Sequence, residues 1–546
     1  MKRLVSLLAA ATLATPIAAC TDAADLYDGE QTKSDDGKAD SSALATFVDA
    51  TFSGKLVTDA SYDDAQTIQD QLLFTVGQLN GMTAVGRVDR AVVTNIKKTT
   101  VGGRVQITYD AKLPIAWGHK ASIPATIALD LPLDISSAGQ DAFAAKYRVG
   151  CNDNASELDE IDAGSMFYFF RPLVSSCKLA PSDIHAVTAT LSPSPIETTG
   201  KFPEYDKVWA DGTLNVVAIF GKFADGTTAN DVGIDGFNQF VAAMKSELGT
   251  HGLVTVPAAV PTDPGVRAPD IEFSATLADG KKIHVVALLT DNVDKGLAMP
   301  AFRARYESLS SAADFIVYNG HAGLGTNIRS LANAGKWVKG QYVVVYMNGC
   351  DSYAYIDDAL SNAHKAVNPD DTTGYKYIDI AVNGMPAFFA SMSGATMAMF
   401  RGLLSYDNPQ TYQQIFAHVD DSQVVLVTGE ADNTYTPGAG SGTTPPATAW
   451  AGLAEHGSVA HNASKKFTTP VLPAGTYEFD MTGTGDADLY VRVGKAPTTA
   501  TYDCRPYKTG TNESCSVTLA QPSTLNVMVR GYAPSASAFD LVGKKL

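Results

Sequence analysis

Between residues 214 and 430 the hydrophobic pattern becomes a series of nearly continuous apolar runs, interrupted only by Asn215 and His284, at 214–220, 283–289, 315–318, 342–347 and 424–427. Such a run offers no polar face to water, so a strand made from it must be covered on both sides. The intervening segments carry helical spacing. Phe237, Phe240, Val241, Met244 and Leu248 fall on one face, and Pro300 opens a second helix that runs to about residue 309. Strands alternating with helices build a mainly parallel sheet, and the spacing predicts an α/β domain over 205–432. Before it, over 42–200, apolar residues alternate with period two, as in Val105-Gln106-Ile107-Thr108-Tyr109-Asp110 and Thr126-Ile127-Ala128-Leu129-Asp130-Leu131. That pattern predicts a β-rich domain, with Met166-Phe167-Tyr168-Phe169-Phe170 as an aromatic core strand. A glycine, serine and proline linker occupies 433–456, and alternation returns in Tyr477, Phe479, Met481 and in Leu489, Val491, Val493. A small β-sandwich is expected over 457–546. The predicted fold class is multidomain: a β-rich domain, an α/β domain and a β-sandwich.

The first residues set the compartment. Lys2 and Arg3 precede an apolar run over 4–13, which is too short to span a bilayer and reads as a signal peptide over 1–19. The run closes with Ile17-Ala18-Ala19-Cys20, which resembles the lipobox of bacterial lipoproteins. That resemblance implies lipidation of Cys20, and with it an extracytoplasmic chain anchored to the cell envelope through its N-terminal lipid. From 21 to 40 there are seven Asp or Glu against two Lys, so 20–41 is expected to be a solvated, disordered tether. The net charge of −17 opposes nucleic acid as a partner.

An oxidising compartment favours paired cysteines, and there are six. Cys20 belongs to the lipid. Cys151 and Cys177 share one domain and Cys504 and Cys515 another, so each pair is expected to form a disulfide. Cys350 is left over, and its surroundings suggest chemistry. Two successive runs end alike, in Asn319-Gly320-His321 and Asn348-Gly349-Cys350. The 323–340 connection has room for a crossover helix through Ile328 and Leu331, which makes the two strands parallel and places His321 and Cys350 on one carboxyl edge. Neighbouring strands lie about 4.8 Å apart, and ligands of open α/β sheets bind outside that edge. An imidazole there can stabilise a thiolate, and nearby glycine amides can hold an oxyanion.

At these residues the chain resembles the caspase-like fold of clan CD cysteine peptidases, the gingipain-type branch above all. The resemblance implies an endopeptidase in which Cys350 attacks the peptide carbonyl and His321 protonates the leaving amine. The oxyanion would be held near Ala322, Gly323 and Gly349. Two positions depart from the family pattern: His321-Ala322-Gly323 replaces His-Gly, and Gly349 stands where alanine is usual. No metal or other cofactor is expected, and His364 and His418 read as surface histidines. Gly320 to Gly325 lacks the lysine that a phosphate loop requires.

The last ninety residues resemble the bacterial pre-peptidase C-terminal domain. The resemblance is carried by Gly485-Asp486-Ala487-Asp488-Leu489-Tyr490-Val491-Arg492, Tyr502-Asp503-Cys504-Arg505-Pro506-Tyr507, Glu513-Ser514-Cys515 and Val529-Arg530-Gly531-Tyr532. Such modules accompany exported peptidases, which implies protein or peptide substrates as partners. Asp486 and Asp488 read as turn carboxylates. The rival expectation is a non-catalytic surface lipoprotein that binds protein or polysaccharide and keeps a degenerate caspase-like domain.

Overall fold

The computed structural model describes residues 40–437, 450 and 452–546, apart from 60–62, 119–122, 153–160, 386, 421–422, 471, 473–474, 495, 500 and 520–522. The signal segment, Cys20, the tether up to residue 39 and most of the linker lie outside the described residues. The chain divides into two compact units, Met1–Gly440 and Ser441–Leu546.

The first unit is organised by a nine-stranded sheet. Its order is Asp40–Ser42, Val425–Thr428, Ile378–Asn383, Val343–Asn348, Phe315–Asn319, Thr213–Gly221, Lys282–Thr290, Asp270–Thr276 and Val254–Val256. The five strands from Ile378–Asn383 to Lys282–Thr290 are parallel, and the flanking strands are antiparallel. The continuous apolar runs therefore lie where both faces of a sheet are covered. The strand Ile378–Asn383 was not anticipated, because Asp379 breaks its apolar run. That carboxylate is buried and accepts hydrogen bonds from the Tyr342 and Tyr412 hydroxyls. On one face packs Val232–Leu248, whose N-cap Asp231 accepts from the amides of Gly233 and Ile234 at 2.8 and 3.1 Å. Its Phe237, Phe240, Val241, Met244 and Leu248 are fully buried, as their spacing predicts. The Phe389–Leu404 helix packs beside it.

A six-stranded sheet follows the period-two segments, with Thr46–Thr58 and Arg104–Trp117 paired along their whole lengths. The 17-residue helix Asp64–Asn80 packs on it and escaped the sequence pattern. Its buried face includes Gln69, Gln71, Thr75 and Gln78, which blur the apolar stripe. Two of the glutamines have strand partners: Gln71 donates to the Lys55 and Pro132 carbonyls and accepts from the Tyr109 hydroxyl at 2.6 Å, and Gln78 donates to the Asp130 carbonyl. The aromatic segment Met166–Phe169 is a helical turn rather than a strand. Its ends, Met166 and Phe170, are buried, and Gly77 of the long helix is pressed against its carbonyl oxygens, which only a glycine permits. Cys151 and Cys177 are disulfide-bonded beside it.

The second unit has a four-stranded sheet (Leu453–Val459, Ser537–Lys545, Gly475–Thr484, Glu513–Leu519) and a three-stranded one (Ser464–Thr468, Leu525–Gly531, Ala487–Val493). Tyr477, Phe479 and Met481 of the first and Leu489, Val491 and Val527 of the second close one core. Cys504 and Cys515 are bonded within this unit.

Candidate functional site

The carboxyl edge of the parallel sheet is built from a repeated dipeptide. Three neighbouring strands end in Asn319-Gly320, Asn348-Gly349 and Asn383-Gly384, and all three asparagines are buried. Their side chains bond across the strand ends. Asn348 Nδ2 donates to Asn319 Oδ1, and Asn383 Nδ2 and Gln423 Nε2 donate to Asn348 Oδ1, each at 2.8 Å. Thr396 Oγ1 donates to Asn319 Oδ1 at 2.8 Å, and Asn348 Nδ2 reaches the Met392 carbonyl at 3.1 Å. This amide ladder joins the strand ends where the sheet stops, with Asn319 Nδ2 and Gln423 Oε1 left buried without a partner, and fixes the level at which the following residues emerge.

Asn319 is in register with Asn348, so His321 and Cys350 leave adjacent parallel strands at the same height. The crossover between them contains the helix Thr326–Ala334, with Ile328 and Leu331 buried. Each side chain is engaged with a main-chain carbonyl. The exposed His321 ring donates from Nε2 to the Phe223 carbonyl at 2.9 Å and sits between Phe223 and Phe389, with ring centroids at 5.3 and 5.1 Å. The half-buried Cys350 thiol contacts the Ala387 carbonyl at 3.5 Å. The residues expected to hold an oxyanion are bound into turns. The Gly349 amide donates to the Met347 carbonyl at 3.0 Å, the Ala322 carbonyl accepts from Gly325, and Gly323 adopts φ +61° beside the Asn327 amide. A Cβ at Gly349 would lie 2.8 Å from the Gly320 carbonyl oxygen, so the close approach of the two turns requires glycine there.

Sequence reasoning missed the residue after the cysteine. Asp351 is fully buried with φ +48°, a left-handed conformation that strains a residue bearing a Cβ. Asn80 donates to its Oδ1 at 2.6 Å, its Oδ2 lacks a partner, and burial pushes its carboxyl up to about 7. The neighbouring Tyr355 hydroxyl is also buried without a partner. No motif marks these groups. The only signal was an acidic residue directly after a buried strand end.

His364 corrects a second expectation. It is buried at 2% exposure, not on the surface; its ring lies 4.5 Å from that of Trp337, and burial lowers its pKa to about 4. His364 lies on the same face of the Ala359–Val367 helix as the buried Leu360 and Ser361. His418 is exposed, as expected. In the second unit, Asp486 accepts from the Gly510 amide at 2.7 Å, as a turn carboxylate does, whereas Asp488 is not in a turn but buried in the Ala487–Val493 strand and ion-paired with Arg505.

The chain thus combines several β-rich sheets with an independent C-terminal β unit stapled by a disulfide. Residues 464–531 match the model of the bacterial pre-peptidase C-terminal domain, and this part of the chain is such a domain. A neutral protease of Vibrio proteolyticus is 59% identical over 51 residues, which are 9% of this chain and 8% of that protein. A zinc metalloprotease of Helicobacter pylori is 39% identical over 110 residues, 19% of this chain and 42% of that protein. A virulence metalloprotease of Vibrio anguillarum is 53% identical over 51 residues, 9% and 8%. The chain therefore spans less than half the length of the curated relatives it matches. Among solved structures, the pre-peptidase C-terminal domain of a collagenase from Bacillus anthracis aligns with 17% of this chain and 89% of that one, at 14% identity and a TM-score of 0.15. That score carries no argument.

These relatives overturn the expectation of a cysteine endopeptidase working through Cys350 and His321, because the chemistry in their names is that of metalloproteases. Among the described residues no group of three or more His, Cys, Asp or Glu side chains is placed to hold a metal ion. The described residues therefore do not fit zinc. The two disulfides and the pre-peptidase domain are consistent with an extracytoplasmic protein. Among the described residues no helix is long and apolar enough to cross a membrane.

Proposed function

We propose that this chain is an exported protein that works on polypeptides outside the cytoplasm, with its C-terminal unit as the part that engages them. The observation that carries the proposal is the pre-peptidase domain at 464–531 in a chain whose matched relatives are named proteases. Polypeptide is the class of molecule those names share. Anchoring through a lipid on Cys20 belongs to the same proposal; it rests on Ile17-Ala18-Ala19-Cys20 and on the acidic stretch that follows. A caspase-like order for the central sheet rests on the parallel strands that end before His321 and Cys350, and the proposal assigns that sheet no hydrolytic step.

The test uses the purified full-length protein and a carboxymethylated, permanently unfolded protein as probe. Retention of the probe on the immobilised chain is measured beside its cleavage, with and without 1,10-phenanthroline. Saturable retention or cleavage is expected. A probe that is neither retained nor cut contradicts the proposal.

A further inference from the structure

Two acids meet at the amino edge of the parallel sheet. Asp379 lies in the strand Ile378–Asn383 and Glu430 just after Val425–Thr428; both are buried, and their carboxyls are hydrogen-bond partners. Asp379 Oδ2 accepts from the hydroxyls of Tyr342 and Tyr412. Glu430 Oε2 accepts from Asn433 Nδ2 at 3.0 Å, whereas Glu430 Oε1 meets no N–H or O–H donor. Two ionised carboxylates have no hydrogen to share, so the contact between them requires a proton held by one of the acids. Burial first, and the Asp379 charge second, hold the Glu430 carboxyl well above the usual carboxylate range, and burial raises Asp379 as well.

The surroundings do not compensate a second charge. Lys201 donates to the Asn433 carbonyl, Lys207 to Glu204 at 2.8 Å and to the Lys376 carbonyl at 3.1 Å, and Lys376 pairs with Asp370, so the nearby ammonium groups are engaged elsewhere. The remaining charged neighbours are acids. Glu204 and Asp432 act electrostatically on the pair through Asp379, and Asp371 acts on Asp432. All three line one cavity of about 420 Å³, which gives water and its protons a route to the cluster.

The pair fastens the end of the first unit. Asn433, bonded to Glu430, also donates to the Phe202 carbonyl at 2.7 Å and accepts from the Tyr435 amide at 3.0 Å. Tyr435 lies against Phe202 and Tyr205, with ring centroids at 6.1 and 5.9 Å. Beyond residue 437 the glycine, serine and proline segment begins. Of these fastenings, only the contact between Glu430 and Asp379 contains a proton that two acids contest.

We propose that Asp379 and Glu430 form a proton-dependent clasp, closed while one proton is shared between them and open once both are ionised, so that pH decides whether residues 430–437 belong to the first unit or to the linker. On opening, the shared proton passes to water and leaves two carboxylates that repel each other until the Glu430 side chain is solvated. Because the closed turn holds Glu430 above its free range, the stabilisation is fully present below about pH 4 and is lost as the pH rises through the pair's own range.

Hydrogen–deuterium exchange of the full-length protein at pH 5 and pH 8, with intrinsic amide rates divided out, tests the clasp. The wild type loses protection at 430–435 by at least about tenfold at the higher pH, the change that one proton released on opening gives per pH unit. Glu430→Gln carries an N–H that bonds Asp379 at every pH, and it keeps its protection within about twofold. Asp379→Asn supplies the same bond from the other side, still accepts from the two tyrosines, and behaves alike. Glu204→Gln falls as the wild type does. An unchanged wild type overturns the clasp whether or not the variants fold, because the proton is then never released. A fall in Glu430→Gln and Asp379→Asn equal to that of the wild type overturns it too, as does a fall abolished by Glu204→Gln, which would assign the titration to the cavity acid.

Discussion

Asn348 shows how one side chain can hold a sheet edge together. It donates to Asn319 and the Met392 carbonyl and accepts from Asn383 and Gln423, all of them buried around it. Replacing it by alanine leaves several desolvated groups unpaired, at roughly 1–3 kcal/mol for each group that finds no new partner. We expect Asn348→Ala to lower stability by about 3 kcal/mol, read as a fall in the urea midpoint at an unchanged slope. Asp351 makes the opposite kind of contribution. Its carboxyl is raised by burial to about 7, so the stability tied to its neutral form is present below pH 4 and is lost as the pH rises through 7. Asp351→Asn is therefore expected to match the wild type at pH 4 and to exceed it by a few kcal/mol at pH 8, measured by urea denaturation at both pH values. These two residues also mark what the sequence concealed. The Asn-Gly turns after residues 318 and 347 were legible and placed His321 and Cys350 on one edge. The third, Asn383-Gly384, went unread because its strand contains Asp379. With all three in view, the repetition reads as a buried hydrogen-bond ladder, a structural cause for a pattern that resembled catalytic spacing.

Elements were legible wherever burial follows a simple period. The runs that became Thr213–Gly221, Lys282–Thr290, Phe315–Asn319 and Val343–Asn348 were visible because both faces are apolar. The Asp64–Asn80 helix was not, because Gln71 and Gln78 are buried through bonds to strand carbonyls, and no hydrophobicity pattern registers such bonds. Met166–Phe169 failed for a different reason. Aromatic side chains favour strands in general, but packing against Gly77 folds this segment into a helical turn. Both disulfides were legible from the partition of cysteines between segments. The Cys504–Cys515 bond closes a loop with a sequence separation of 11, for which the chain-entropy model gives about 3 kcal/mol. A Cys504→Ala, Cys515→Ala double variant is expected to lower the melting of the second unit and to leave that of the first unchanged, as followed by scanning calorimetry.

At the scale of the whole molecule, the sequence was read as three folded domains, 42–200, 205–432 and 457–546, whereas the chain divides into two compact units, the first of which holds both the β-rich and the α/β segments. What it could not supply was chemistry. Two residues brought to one edge by parallel strands satisfied a geometric template, yet the relatives this chain matches are named for another kind of peptidase and its described residues offer no metal cluster. The part with an established family is the C-terminal domain, where polypeptide engagement is proposed. Hydrogen–deuterium exchange of the full-length protein, with and without a saturating carboxymethylated, unfolded polypeptide, tests that claim most directly. Slowed exchange is expected in the second unit, concentrated at 502–508 and in the Ala487–Val493 strand against which that loop is pinned. Protection confined to the first unit, or none anywhere, would contradict it.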